Sequence, residues 1–207
     1  MNDQTLNPDL LVAVSRLRKA AEAGNAAAQY RLGIMYGNGD GVPLEPSTAA
    51  DWIERAAAQG HVEAQATLAW LCANGHGVRQ SDAAALRWYE AAAGQGLAQA
   101  QYMMATVYRF GQFGVERDFA RALDWYLKAA DQGFATAQFA LGRLLMDGKR
   151  VQQDDEAALQ WLMLAHANGS KRAGEYIETL LQRLPPDRAA AVRERMLGGG
   201  EPPVGEH

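Results

Sequence analysis

Four histidines, one cysteine and a set of glycine-rich loops are the parts of this 207-residue chain that could do chemistry. Histidine exchanges protons near neutral pH and ligates metals, and a thiolate attacks when a nearby cation lowers its pKa. His61 and His76 fall in a turn and a loop, His166 on a helix and His207 at the chain end. No nucleophile–base pair converges on any of them, so they read as solvated or half-buried structural residues. Cys72 occupies the position that holds Tyr36, Tyr108 and Leu145 elsewhere, a core-facing position, and reads as a buried, inert thiol. Asn38, Asp40 and Gly41 have the look of a calcium loop. An EF-hand would need an acid where Tyr36 stands and a bidentate glutamate where Ser47 stands. The glycine loops likewise fit no phosphate-loop spacing. No catalytic, cofactor-binding or metal-ligating residue is expected.

What positions these residues is a repeat. Trp52, Trp88, Trp125 and Trp161 lie at intervals of 36, 37 and 36, each followed eight residues later by Gly60, Gly96, Gly133 or Gly169. Gln29, Gln65, Gln101 and Gln138 run 23 or 24 positions ahead. A period of this length is the mark of a stacked supersecondary unit.

Within the first repeat, AAAQYRLGIMYGNGDGV places Ala28, Leu32 and Tyr36 on one helical face. Gly33 in that helix costs about 1 kcal/mol relative to alanine. Ala69, Ala105 and Gly142 are as small, which predicts close approach of a neighbouring helix. A glycine loop then ends in Val42, Val78, Val115 or Val151, ten residues before each tryptophan. Ser81, Asp118 and Asp154 suit N-caps of a second helix, and Glu45 followed by Pro46 suits a proline-started one. The glycine eight residues past the tryptophan supplies a left-handed C-cap. The tryptophans themselves are expected in the core, with Trp88→Ala costing about 3–5 kcal/mol.

The domain reading follows. Residues 1–7 are expected to be a flexible terminus and 8–25 a capping helix, with Arg16 at the tryptophan position. Repeats span 26–61, 62–97, 98–134 and 135–170, a partial repeat and C-terminal capping helix 171–197, and a disordered tail 198–207. Alanine abundance favours helix, so the fold class is all-α, a solenoid of stacked helix pairs.

A net charge of -4 and pI near 5.6 argue against sequence-independent nucleic-acid binding. No apolar run is long enough for a membrane span. MNDQTLNPDL lacks the basic and apolar regions of a signal peptide, and one cysteine excludes an internal disulfide framework. A soluble, reducing, cytoplasmic setting is expected.

Laid out this way, the chain resembles the Sel-1-like repeat (SLR) family, relatives of the tetratricopeptide repeats. The family pattern is A-x-A-Q-x-x-L-G-x-x-Y, a G-x-G-V loop, then A-x-x-W-x-x-x-A-A-x-x-G. The first repeat carries it as Ala26, Ala28, Gln29, Leu32, Gly33, Tyr36, Gly39, Gly41, Val42, Ala49, Trp52, Ala56, Ala57 and Gly60. Met104, Cys72, Leu145, Arg150 and His166 depart from it, making the fourth repeat the most divergent. The resemblance implies a right-handed α-α superhelix of antiparallel helix pairs, used as a non-enzymatic scaffold for protein–protein contacts in bacterial signalling, secretion or assembly. The alternative it implies is hydrolase or penicillin-type ligand binding, as associated with some cysteine-rich relatives whose cysteines this chain lacks.

In tetratricopeptide-like stacks the first helix of each pair lines the concave side. Its non-core positions supply the expected partner-binding groove: Tyr30 and Asn38, Trp70 and Asn74, Tyr102, Arg109 and Phe110, Phe139 and Arg143, and Arg172. Aromatics mixed with arginines are the residue types of binding hot spots. Tyr30, Tyr102 and Phe139 can equally serve packing, whereas Trp70, Arg109 and Arg143 are favoured as contacts. Arginines gathered toward the carboxyl half point to an acidic or carboxylate-bearing protein or peptide. Neither nucleic acid, membrane nor cofactor is expected, and a monomer is the expected state.

Overall fold

A computed structural model of the protein describes residues 8–197, with side chains from Leu11 onward; the terminus expected to be flexible and the tail expected to be disordered lie outside the described residues. Among the described residues there are eleven helices and no strand. They are α1 Pro8–Glu22, α2 Ala26–Asn38, α3 Pro46–Ala58, α4 Val62–Asn74, α5 Asp82–Gly94 and α6 Ala98–Phe110. After these come α7 Phe119–Asp131, α8 Ala135–Asp147, α9 Asp155–Ala167, α10 Ala173–Arg183 and α11 Pro186–Leu197. Contacts divide the chain into two compact units, residues 1–100 and 101–207.

Helix starts are chemically marked. The side chains of Ser81, Asp118 and Asp154 accept from the N–H groups of Ala84 (3.2 Å), Arg121 (3.0 Å) and Ala157 (2.9 Å). Each satisfies one of the donors a helix start leaves unpaired. Helix α3 begins at Pro46 with no side-chain cap from Glu45. Two further caps serve first helices: Asn25 accepts from Ala28 N–H at 2.8 Å, and His61 Nδ1 accepts from Ala64 N–H at 3.4 Å. The same nitrogen lies 3.3 Å from Glu63 Oε2. At the other end, Gly60 takes φ 87° and lets His61 N–H reach back to the Ala56 carbonyl at 3.1 Å.

Within a pair the helices run antiparallel and close. A Cβ built on Gly33 would lie 2.6 Å from Ile53 Cγ1 and 2.9 Å from the Ala49 carbonyl, while one on Gly37 faces Ala49 at 3.7 Å. Ascending one helix therefore means descending the other. Gly142 makes the same approach in the C-terminal unit, with Leu162 Cγ at 2.6 Å and the Ala158 carbonyl at 3.1 Å.

The tryptophan expectation needs correction. Trp161 alone is fully buried, at 2 % exposure; Trp52, Trp88 and Trp125 are half-buried. The deep position is the next residue, held by Ile53, Tyr89, Tyr126 and Leu162. Successive residues point about 100° apart on a helix, so only one of the two can aim at the centre of the interface. Trp52 instead lays one face on the Ala21, Ala28 and Leu32 cluster. Arg55 sits 4.6 Å from the Trp52 ring centre, Arg87 5.1 Å from that of Trp88, and Lys128 4.4 Å from that of Trp125.

Buried glutamines tie one helix pair to the next. Gln29, Gln65 and Gln138 donate through Nε2 to the carbonyls of Ala21, Ala57 and Ala130, at 3.0, 3.2 and 3.0 Å. Each also accepts through Oε1, from Gln59 (2.6 Å), Gln95 (2.7 Å) or Asn168 (2.9 Å). Gln132 serves Gln101 in the same way at 2.7 Å. A buried amide is tolerated because both its ends are satisfied. Gln65→Leu removes both bonds and is expected to lower stability by about 1–2 kcal/mol, read as a drop in the urea midpoint; an unchanged midpoint would refute a bracing role.

Candidate functional site

The side chains capable of chemistry stay apart. Cys72 is buried at 7 % exposure. That burial, reinforced by the negative charge of Glu54, holds its thiol pKa above the usual value, the reverse of what a nucleophile needs. His61 is the helix cap described above. His76 lies edge-on to Trp70, with ring centres 5.8 Å apart. His166 is exposed, and His207 falls outside the described residues. Among the described residues no group of three or more His, Cys, Asp or Glu side chains could hold a metal ion.

On the first helices of the N-terminal unit, the expected groove residues separate into two kinds. Tyr30 is half-buried, its ring 4.9 Å from His61 and its hydroxyl 3.4 Å from Thr67 Oγ1. It thereby joins one helix pair to the next. Trp70 is 50 % exposed. Helix α4 packs through Ala64, Gln65, Leu68, Ala69, Leu71 and Cys72, leaving Trp70 outside that set. Asn74 caps the same turn by donating to the Trp70 carbonyl at 2.8 Å, and Asn38 donates to Asp40 at 3.0 Å.

The C-terminal unit shows the same division. Tyr102 is enclosed by Tyr126 and Phe134, ring centres 5.7 and 5.5 Å away, and burial raises its hydroxyl pKa. Phe110 is 50 % exposed, with the Arg109 guanidinium 5.0 Å from its ring centre. Phe139 and Arg143 meet around Tyr176, a residue the repeat pattern did not single out. Phe139 and Tyr176 form an edge-to-face pair at 5.4 Å. Arg143 lies 5.2 Å from the Tyr176 ring centre, and Arg172 5.7 Å from that of Phe139.

Two guanidinium groups are thus held against one aromatic pair. Arg143 also touches Asp147 at 3.8 Å, a contact long enough to leave its terminal donors largely uncommitted, while its Nε is buried and has no acceptor. Arg183, at the end of α10, is committed elsewhere: it pairs with Asp155 at 2.9 Å. The arrangement can bind a planar anion such as a carboxylate bidentately; it contains no group placed to cleave a bond.

The comparisons with known proteins agree with the geometry. The family described as Sel1 repeat matches residues 26–61, 62–97, 98–134 and 135–170. Among solved structures, a Sel1 repeat protein from Oxalobacter formigenes is 30% identical with a TM-score of 0.79, the match covering 95% of this chain and 82% of that one. A protective antigen present in uropathogenic Escherichia coli strains, displaying an SLR fold, is also 30% identical, with a TM-score of 0.80. That match covers 93% of this chain but only 42% of the antigen. No curated protein sequence matches the chain.

Proposed function

Because the chain belongs to the Sel1 repeat family, a helical repeat fold in common use as a protein-interaction scaffold, we propose that it is a non-enzymatic adaptor. It binds a partner protein or an extended peptide on the first-helix faces of its repeats. The observation that carries this reading is Trp70, half exposed and outside the buried residues of its helix. A large aromatic so placed contributes little to folding and much to an interface.

The proposal extends to the chemistry of the partner. Arg143 and Arg172, held on Phe139 and Tyr176, favour an acidic side chain or a terminal carboxylate. Their rings fix the guanidinium planes beforehand, which reduces the ordering cost of binding. The adaptor acts as a monomer in a bacterial cytoplasm, a setting in keeping with a buried free thiol. Probing an array of acidic, neutral and basic peptides with the labelled chain tests the partner chemistry. Acidic peptides should be enriched, and their signal should fall as salt is raised from 50 to about 300 mM. Enrichment of basic peptides, or salt-independent binding, would refute it.

A further inference from the structure

A recess lies at the loop edge of the C-terminal unit, where α8 ends and α9 begins. It is a cleft of about 1040 Å³, walled by α7, α8, α9 and the turn from α10 into α11. Its floor is apolar, formed by Leu123, Leu127, Leu141, Leu145, Trp161 and Leu184.

Two of these residues break the repeat, and both breaks favour a recess. Leu145 stands where the first and third repeats carry Tyr36 and Tyr108, whose hydroxyls meet Arg18 at 2.9 Å and Arg121 at 3.5 Å. Leucine is smaller and has no hydroxyl to occupy that space. Leu127 stands where the first two repeats carry Glu54 and Glu90. Stacking is achieved in those repeats with a charge at this position, so the apolar residue is not a requirement of the fold.

The mouth of the cleft is charged, and most of its charge is committed. Arg183 pairs with Asp155 at 2.9 Å, while Glu156 takes Arg188 and, at 3.1 Å, Arg195. Asp154 also lines the mouth. One of its oxygens holds the Ala157 N–H, and among the described ion pairs it has no cationic partner. An anionic head would find both mouth arginines already paired with carboxylates, whereas a cationic head would find at Asp154 a carboxylate with one oxygen on the helix N–H and no cationic partner among the described ion pairs.

We propose that this cleft binds a small organic cation with an apolar body, its hydrocarbon against Leu123, Leu127 and Leu145, above the buried ring of Trp161, and its cationic head at Asp154. A recess walled by several elements, apolar at its floor and polar at its mouth, is a form small-ligand sites take. This site is independent of the peptide-binding reading and would survive its failure.

Fluorine NMR of the full chain labelled with 5-fluorotryptophan tests it, with Trp161→Phe identifying the Trp161 signal and octylammonium and octanoate as probes. Octylammonium should shift that signal saturably, with octanoate at least tenfold weaker. Leu145→Tyr, which restores the repeat residue and fills the cleft, should weaken octylammonium at least tenfold. Asp154→Asn keeps a capping side chain and the fold but removes the charge, and it should erase the preference for the cation. An absent or unsaturable shift, equal binding of octanoate, or an Asp154→Asn protein that behaves as wild type would overturn the proposal. A shift produced by a basic amphipathic peptide and not by octylammonium would also overturn it, making the cleft a dock for a partner segment.

Discussion

Trp161→Ala is expected to cost about 3–5 kcal/mol, more than the same change at any other repeat tryptophan. Its ring is 2 % exposed. It stands within α9 among Leu159, Leu162 and Ala165, which belong to the cluster completed by Leu180, Leu184 and Val192 from α10 and α11. Removing it leaves a void that helices on both sides cannot close without moving. Trp88 occupies the same repeat position but is half-buried, with Arg87 over its ring. Its truncation should cost about 2 kcal/mol, in line with partial burial of a large side chain. Urea denaturation of the two variants measures the difference directly. Equal midpoints would mean that the deeper burial of Trp161 contributes nothing beyond that of Trp88.

Gly142→Val is expected to destabilise by about 3 kcal/mol. Alanine at this position would gain helix propensity worth about 1 kcal/mol, but the first added carbon already meets Leu162 Cγ at 2.6 Å and the Ala158 carbonyl at 3.1 Å. The leucine can rotate; the carbonyl is backbone and cannot move without shifting α9. Valine adds two methyl groups to that contact and restricts its own rotamer in a helix. A thermal melt reads the effect, and Leu162→Ala in the same chain should recover part of it by vacating the space. No loss in the single variant would mean that α8 and α9 are not in close contact at this point.

The parts of the molecule that recur were legible in the sequence because recurrence fixes both residue type and place. Ser81, Asp118 and Asp154 stand at one repeat position and cap three helices by the same bond. Gly33 and Gly142 signalled close approach because a glycine inside a helix is costly unless something needs the room. The tryptophans misled by one residue. Their conspicuous spacing marks the interface, but Ile53, Tyr89, Tyr126 and Leu162 take its centre, and periodicity alone does not separate neighbours 100° apart.

The candidate surface was less legible. Whether Tyr30, Tyr102 or Phe139 faces a partner or packs depends on rings that arrive from the following repeat: His61, Phe134 and Tyr176. Tyr176 escaped notice because the partial repeat has lost the tryptophan and glutamine that mark the others. Gln59, Gln95 and Gln132 stand just before the closing glycine of their repeats. Their bonds to Gln29, Gln65 and Gln101, 30 or 31 residues before them, required coordinates.

The central claim is that recurring positions hold the helices together while the varied first-helix positions choose the partner. Fluorescence anisotropy with an array-selected acidic peptide tests it most directly, comparing wild type with Trp70→Ala and with Arg143→Ala combined with Arg172→Ala. Each variant is predicted to melt within about 2 °C of wild type, since a surface change costs little. Loss of a hot spot worth about 2 kcal/mol should weaken the peptide roughly thirtyfold. Unchanged affinity in both variants, with folding intact, would contradict the account.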